Sequence, residues 1–281
     1  MIKLFFNKIN RTLLLVYWFI ASSGYATAQK ADTLSPLREF VTISTGYKQM
    51  PLYLQLEVKS STNFITNEGD TSDINGEFYL RNENSYIRIG EFEQIVNDSL
   101  ALLVSNRLQR MILYTDATST IKKIKGMMGL VLPDSSIRHL AGQYRSFSDK
   151  LSMQTSRIEL QSRTTLYGTN LPKETIELQY DVAKKIPQQI TMLKRSLLRL
   201  DSLQYAQLQN EAGIAEKLLT IGGSYFLVKE QIITYLFRQI EKASASVQVP
   251  VFISDRITRN EEGKYKPVKN YGSYSLTTGD E

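Results

Sequence analysis

Gly76-Glu77-Phe78-Tyr79-Leu80-Arg81-Asn82-Glu83-Asn84-Ser85-Tyr86-Ile87-Arg88-Ile89 is the stretch whose reading decides the fold. Apolar side chains recur at every second position in both halves, Phe78 and Leu80 and then Ile87 and Ile89. Successive side chains of a strand point to opposite faces, so this period predicts two half-buried strands. The connector Asn82-Glu83-Asn84-Ser85 is made of turn formers. It is far too short for the crossover that parallel strands require, so the two strands must be antiparallel neighbours.

The same pattern extends in both directions. Upstream, Leu52, Leu54, Leu56 and Val58 alternate with Tyr53, Gln55, Glu57 and Lys59, and the polar run that follows ends in the turn signal Asn75-Gly76. Downstream, 93–96 and 100–104 flank Asn97-Asp98-Ser99, and 108–114 follows Asn106-Arg107. The region reads as an antiparallel meander. Before it, Leu37, Phe40, Val41 and Tyr47 predict a short amphipathic helix. After it, Ile121, Ile124, Met127, Met128 and Val131 recur at helical spacing. Pro133 interrupts them, and 135–144 suits a second helical piece. Strands resume at 157–161, 174–180 and 188–200.

Beyond Leu200 the pattern is ambiguous. Residues 202–209 suit a strand extension or a helix, and Tyr225 to Ile240 suits a buried strand or a core helix. Val247 to Ile253 reads as a strand, and Glu261-Glu262-Gly263 as a hairpin turn with Tyr271 to Leu276 returning. With no internal repeat, the expectation is one β-dominated α+β domain over 29–281, carrying a C-terminal extension after about residue 200.

Residues 1–28 read as a signal peptide. Lys3, Lys8 and Arg11 form a positive n-region, Leu13 to Ala21 is apolar, and Ala26-Thr27-Ala28 is a small-x-small cleavage site. The apolar run has nine residues, against about 20 for a membrane span. An exported, periplasmic protein is therefore expected.

Composition excludes several chemistries. The chain has no cysteine and one histidine, which removes disulfides, thiolate metal sites and thiol catalysis. The formal net charge is +6, and without Lys3, Lys8 and Arg11 it is +3, an ordinary surface that argues against nucleic-acid binding. Lys122, Lys123 and Lys125 read as a solvated helix face, able at most to make transient contact with anionic lipid. His139 has no nucleophile-elbow context and reads as a packing or surface histidine. Asp70, Asp73 and Glu77 lack the spacing of a calcium loop. No catalytic residue, metal site or cofactor is expected.

A family resemblance emerges from the order of elements and from three segments. These are the stretch quoted first, Glu93-Gln94-Ile95-Val96-Asn97-Asp98-Ser99 before Leu102-Leu103-Val104 and Met111-Ile112-Leu113-Tyr114, and Ile176 to Asp181 leading through Ile186-Pro187 to Gln189–Met192. The chain resembles the LolA-like periplasmic lipoprotein-carrier superfamily over roughly residues 37–195. The resemblance implies an unclosed β half-barrel with an N-terminal helix and a helical plug on the concave face. It implies a non-catalytic carrier for lipid or a lipidated protein. Leu54, Leu56, Phe78, Leu80, Ile87 and Ile89 would line the cavity, and Met127, Met128, Leu130 and Val131 would supply the movable plug. Arg81 matches an arginine that latches the lid in the family, although Asn82 stands where a proline usually follows. The 81 residues after Leu200 exceed a minimal carrier. The same apolar residues also fit a filled core, which gives the alternative of a structural component that binds other envelope proteins.

Overall fold

The computed structural model describes residues 34–81, 84–122 and 134–279. Residues 1–28, expected to be a signal peptide, Asn82 and the four residues expected to form a plug (Met127, Met128, Leu130 and Val131) lie outside them.

Alternation does produce strands. Six follow one another as a meander: β1 (Leu52–Thr62), β2 (Ser72–Leu80), β3 (Ser85–Ile89), β4 (Phe92–Val96), β5 (Ala101–Ser105) and β6 (Arg110–Tyr114), each antiparallel to the next. The turns carry their own chemistry. Asn97 Oδ1 accepts the backbone N–H groups of Ser99 (3.0 Å) and Leu100 (2.7 Å), an Asx-type turn between β4 and β5. A second run comprises β7 (Tyr144–Lys150), β8 (Thr155–Ser162), β9 (Glu174–Asp181) and β10 (Ile186–Leu200). One expected turn is instead a strand position. Asn75-Gly76 lies inside β2, and a Cβ on Gly76 would sit 3.0 Å from the Phe78 ring. The glycine serves close packing of that ring rather than a bend.

The two runs do not pair with each other directly. Between β1 and β10 lies β12 (Ser224–Lys242), antiparallel to both. The ambiguous segment beyond Leu200 is thus a strand of 19 residues at the middle of the sheet. Short β11 (Leu218–Ile221) folds back on its start. The chain's last described strand, β15 (Ser275–Gly279), pairs parallel to β6, so the sheet is mixed. The complete path runs from β15 through β6, β5, β4, β3, β2, β1, β12, β10, β9 and β8 to β7, and its ends do not meet. This is a β-dominated α+β fold built on one unclosed sheet.

Helix α1 (Leu34–Gly46) buries Leu37, Val41 and Ile43. Together with Ile137 and Leu140 of α2 (Asp134–Gln143), they pack on Ile158, Leu160, Ile176, Leu178 and Met192 of β8–β10. The two helices therefore cover one half of one sheet face. Helix α3 (Ser202–Leu208) resolves the ambiguity at 202–209. Asp201 caps it, its side chain accepting the Gln204 N–H at 2.8 Å.

The last part of the chain differs from expectation at two points. Residues 247–252 form no strand, and a 3₁₀ turn follows at Ile253–Asp255. The Glu261-Glu262-Gly263 turn does join a hairpin, but its arms are β13 (Ile257–Arg259) and β14 (Tyr265–Pro267) rather than 271–276. The reason is tertiary. Val249, Ile253 and Ile257 are anchored against Tyr86, Ile95, Leu102, Val104, Met111 and Leu113, on the sheet face opposite the one the helices cover. The segment is a covering flap whose apolar residues follow the surface beneath them.

The loop between β1 and β2 is fastened by Asp70, whose Oδ2 accepts Lys229 Nζ (2.7 Å), the Thr66 N–H (2.7 Å) and the Asn67 N–H (3.1 Å). The Lys229 ammonium first, and then the backbone donors, hold this carboxyl well below the usual carboxylate range. A lowered folded pKa gives stabilisation above the unfolded value of 3.8 that is lost as pH falls below it. Amide protection in 62–70 is therefore expected to hold at neutral pH and to fade below about pH 4. In Asp70→Asn it should be low and flat with pH. An equally steep acid loss in the variant would assign the effect to another group.

Candidate functional site

Cross-strand register decides which residues share one face of the sheet. Leu54 stands opposite Phe78, and Phe78 opposite Ile87. One row along, Leu56 stands opposite Gly76, and Gly76 opposite Ile89. Leu52 faces Leu80. On the other side of β1, Leu54 pairs with Ile240 and Leu56 with Phe237, across a bulge between Gln55 and Leu56. All six strand residues singled out from sequence fall in one apolar cluster. Leu54, Leu56, Leu80 and Ile87 are buried in it, whereas Phe78 and Ile89 are partly exposed.

The face continues under the helices. Tyr235 lies opposite Ile190, then Leu178, then Ile158, and it packs against both the meander cluster and the helix-covered cluster. One apolar surface therefore spans β3 to β8. The helix-covered half is closed, with Leu178 and Ile158 fully buried. The meander half keeps Val58, Phe78, Ile89, Ile186, Phe237 and Ile240 only partly buried. Ile121, in the helical residues 118–122, packs against this half.

Three polar groups border the apolar half, of which the sequence pattern noted only Tyr47, as an apolar helix position. Tyr47, buried at the end of α1, meets Phe237 edge to face with ring centroids 5.5 Å apart. Burial pushes the Tyr47 phenol up and the Tyr235 phenol up to about 12. Neither hydroxyl forms a hydrogen bond to the described residues, and Tyr235 is itself only partly buried. Lys48, next along from Tyr47, is partly buried without an ion pair among the described residues, and desolvation lowers its pKa. What reveals them is their place in the fold, as polar-tipped side chains brought beside an apolar surface.

Arg81 leaves the end of β2 and donates from Nη1 to the Val247 carbonyl (3.1 Å), at the start of the flap. His139 meets Gln143 one turn along α2, with 3.1 Å between His139 Nε2 and the Gln143 amide nitrogen. Among the described residues, no group of three or more His, Asp or Glu side chains is placed to hold a metal ion. No described helix is long and apolar enough to cross a membrane.

No protein-family profile matches the chain, and no curated protein does. Among solved structures it is similar to a LolA superfamily protein from Nitrosomonas europaea, at 8% identity and a TM-score of 0.22, over 75% of this chain and 94% of that one. It is also similar to a putative outer membrane lipoprotein-sorting protein domain from Vibrio parahaemolyticus, at 8% identity and a TM-score of 0.24, over 74% of this chain and 92% of that one.

Proposed function

We propose that the protein is a non-catalytic, periplasmic carrier that binds an acyl chain of a lipid or lipidated protein on the concave face of its unclosed sheet. The observation that carries this reading is one apolar face that is closed under the helices but leaves Phe78, Ile89, Phe237 and Ile240 only partly buried beyond them. A face meant only as core would be covered along its whole length, whereas a contiguous partly exposed apolar surface marks a binding site.

Magnitudes separate the roles of the apolar face and of the polar groups beside it. Burying about ten methylenes gains ~8 kcal/mol. Association itself costs roughly 4–15 kcal/mol. Chain burial alone therefore gives weak binding, and a polar anchor decides affinity. A phenol donating to an ester or amide carbonyl adds about 0.5–1.5 kcal/mol, and the Lys48 ammonium adds more to an anionic head. Met127, Met128, Leu130 and Val131 would close over the chain, with unbranched methionine adapting to its shape. Arg81, by tying β2 to the flap, would hold the rim on which they latch.

Native mass spectrometry of protein purified from an envelope fraction, followed by organic extraction, tests the reading. Stoichiometric lipid is expected, with loss of that lipid in folded Phe78→Glu and Ile89→Glu variants. Tyr235→Phe should weaken rebinding by about two- to ten-fold. Ligand-free protein whose concave variants behave as wild type would overturn the proposal. The alternative, a filled core serving a structural or partner-binding envelope component, draws on the burial of Leu54, Leu56, Leu80 and Ile87 at 4–9% exposure.

A further inference from the structure

The flap does more than cover the sheet. Where it crosses the end of the β3–β4 hairpin it leaves a groove of about 450 Å³, within the size range of small-molecule sites. Ile95, Val96 and Leu100 from the meander and Val251, Ile253 and Ile257 from the flap make its walls apolar. Ile95, Ile253 and Ile257 are themselves almost wholly buried, so the floor is fixed by the core. Phe252, half exposed, stands at the rim. The groove's floor, Ile95, Ile253 and Ile257, belongs to the cluster on the sheet face opposite the proposed carrier site, and only Val96 at its edge belongs to the other cluster.

One end of the groove is cationic. Arg259 and Tyr265 both line it, and the guanidinium stacks on the Tyr265 ring at 4.8 Å while Nη2 donates to the Tyr265 hydroxyl at 2.8 Å. The stack fixes the fork in one orientation and leaves other N–H donors open. No carboxylate forms an ion pair with Arg259 among the described residues. The neighbouring charges are already engaged. Arg256 is paired with Glu93, and Asp255 accepts the Phe252 N–H at 2.7 Å. Lys264 is paired with Glu262. An apolar trough ending in an oriented, uncompensated guanidinium is complementary to a chain that is aliphatic along its length and carboxylate at its tip, because arginine binds carboxylates through two parallel hydrogen bonds.

We propose that the groove between the β3–β4 hairpin and the C-terminal flap is a second binding site, for a medium-chain carboxylate whose tail lies on Ile95, Ile253 and Ile257 and whose carboxylate meets Arg259. The site is independent of the concave face and stands or falls separately from the carrier reading.

The test is a methyl NMR titration of the full chain, with labelled isoleucine methyls and sodium octanoate below its micellar concentration as the probe. Saturable shifts are expected at Ile95, Ile253 and Ile257. Affinity should fall at least about ten-fold for 1-octanol and for octanoate with Arg259→Gln, as expected for loss of a charge-assisted hydrogen bond. Arg259 is exposed, so the variant is expected to fold, and its unperturbed methyl spectrum checks this. Shifts confined to Ile87, Ile89 and Ile240 would overturn this site while supporting the concave one. Absence of saturation, or equal affinity in Arg259→Gln, would also overturn it. So would an apolar tetrapeptide acid that outcompetes octanoate with the same methyl response, which would reassign the groove to a peptide terminus.

Discussion

A chain ending at Leu200 is expected not to fold, although it retains the whole β1–β6 meander and β7–β10. The missing piece is β12, which pairs along β1 from Leu52 to Thr62 and along β10 from Gln189 to Leu200. Without it the sheet divides into a meander ending at β1 and a four-stranded piece ending at β10. Both new edges would be long rows of unpaired backbone groups, which favour association with other chains. The loss in the core is also large. β12 places Leu227 and Val228 at 0–1% exposure and brings Ile233, Tyr235, Phe237 and Ile240 into the clusters on the concave face. Six such side chains at about 1.5–3 kcal/mol each amount to roughly 10 kcal/mol, comparable with the whole stability of an ordinary domain at about 5–15 kcal/mol. The truncated chain should show poor amide dispersion, no cooperative melt and a strong tendency to aggregate. A chain ending at Ser244 keeps β12 and should retain dispersion, while exposing Leu102, Val104, Met111 and Leu113 where the flap was. A cooperative melt of the Leu200 chain near that of the full protein would show β12 to be peripheral.

That expectation marks where sequence reasoning stops. The alternation in Leu52–Val58, Phe78–Leu80 and Ile87–Ile89 is local, and it predicted strands, their antiparallel order and the shared face of the six lining residues. Tyr225 to Ile240 carries the same kind of information but reads as helix or strand, because its apolar residues run consecutively, as in Ile232-Ile233 and Tyr235-Leu236-Phe237, without alternation. Its place between β1 and β10 depends on β1 partners 169 to 190 residues away in sequence, to which no short-range pattern responds. Gly76 misled for a related reason. Asn-Gly favours a turn, yet here the missing Cβ admits the Phe78 ring two residues on. The flap misled at Val247 to Ile253, where an apolar run meets an existing surface and follows it without pairing. Of the polar members of the site, Tyr47 enters the sequence pattern only as an apolar helix position, and Lys48 and Tyr235 have no sequence signature. They stand out only once burial and hydrogen bonding can be compared at each atom.

Replacing Glu93 by alanine is expected to release the flap and cost about 3–5 kcal/mol, the penalty for leaving a buried charge without its partner. Glu93 projects from β4 beneath the flap and is 7% exposed. Its Oε2 accepts Arg256 Nη2 at 2.9 Å and Nε at 3.1 Å, and its Oε1 accepts the Asn106 amide at 3.0 Å. Asn106 in turn accepts the Tyr274 hydroxyl at 3.0 Å, and the Arg256 guanidinium lies 4.8 Å from the centre of the Tyr271 ring. Both ends of the flap thus converge on one carboxylate. An exposed pair would be worth only about 0–1 kcal/mol, so burial is what makes this one matter. Arg256→Ala should cost a similar amount, and the double alanine variant clearly less than the sum, because each single change strands the other charge. An apolar pair such as Glu93→Leu with Arg256→Met should recover much of the loss, since a packed hydrophobic replacement avoids the desolvation of both ions. Urea unfolding gives the magnitudes, and limited proteolysis reports whether cleavage within 247–274 accompanies them. Single variants that lose less than about 1 kcal/mol, or strictly additive losses, would mean that Glu93 and Arg256 are solvated in solution. The flap would then be held by Val249, Ile253 and Ile257 alone.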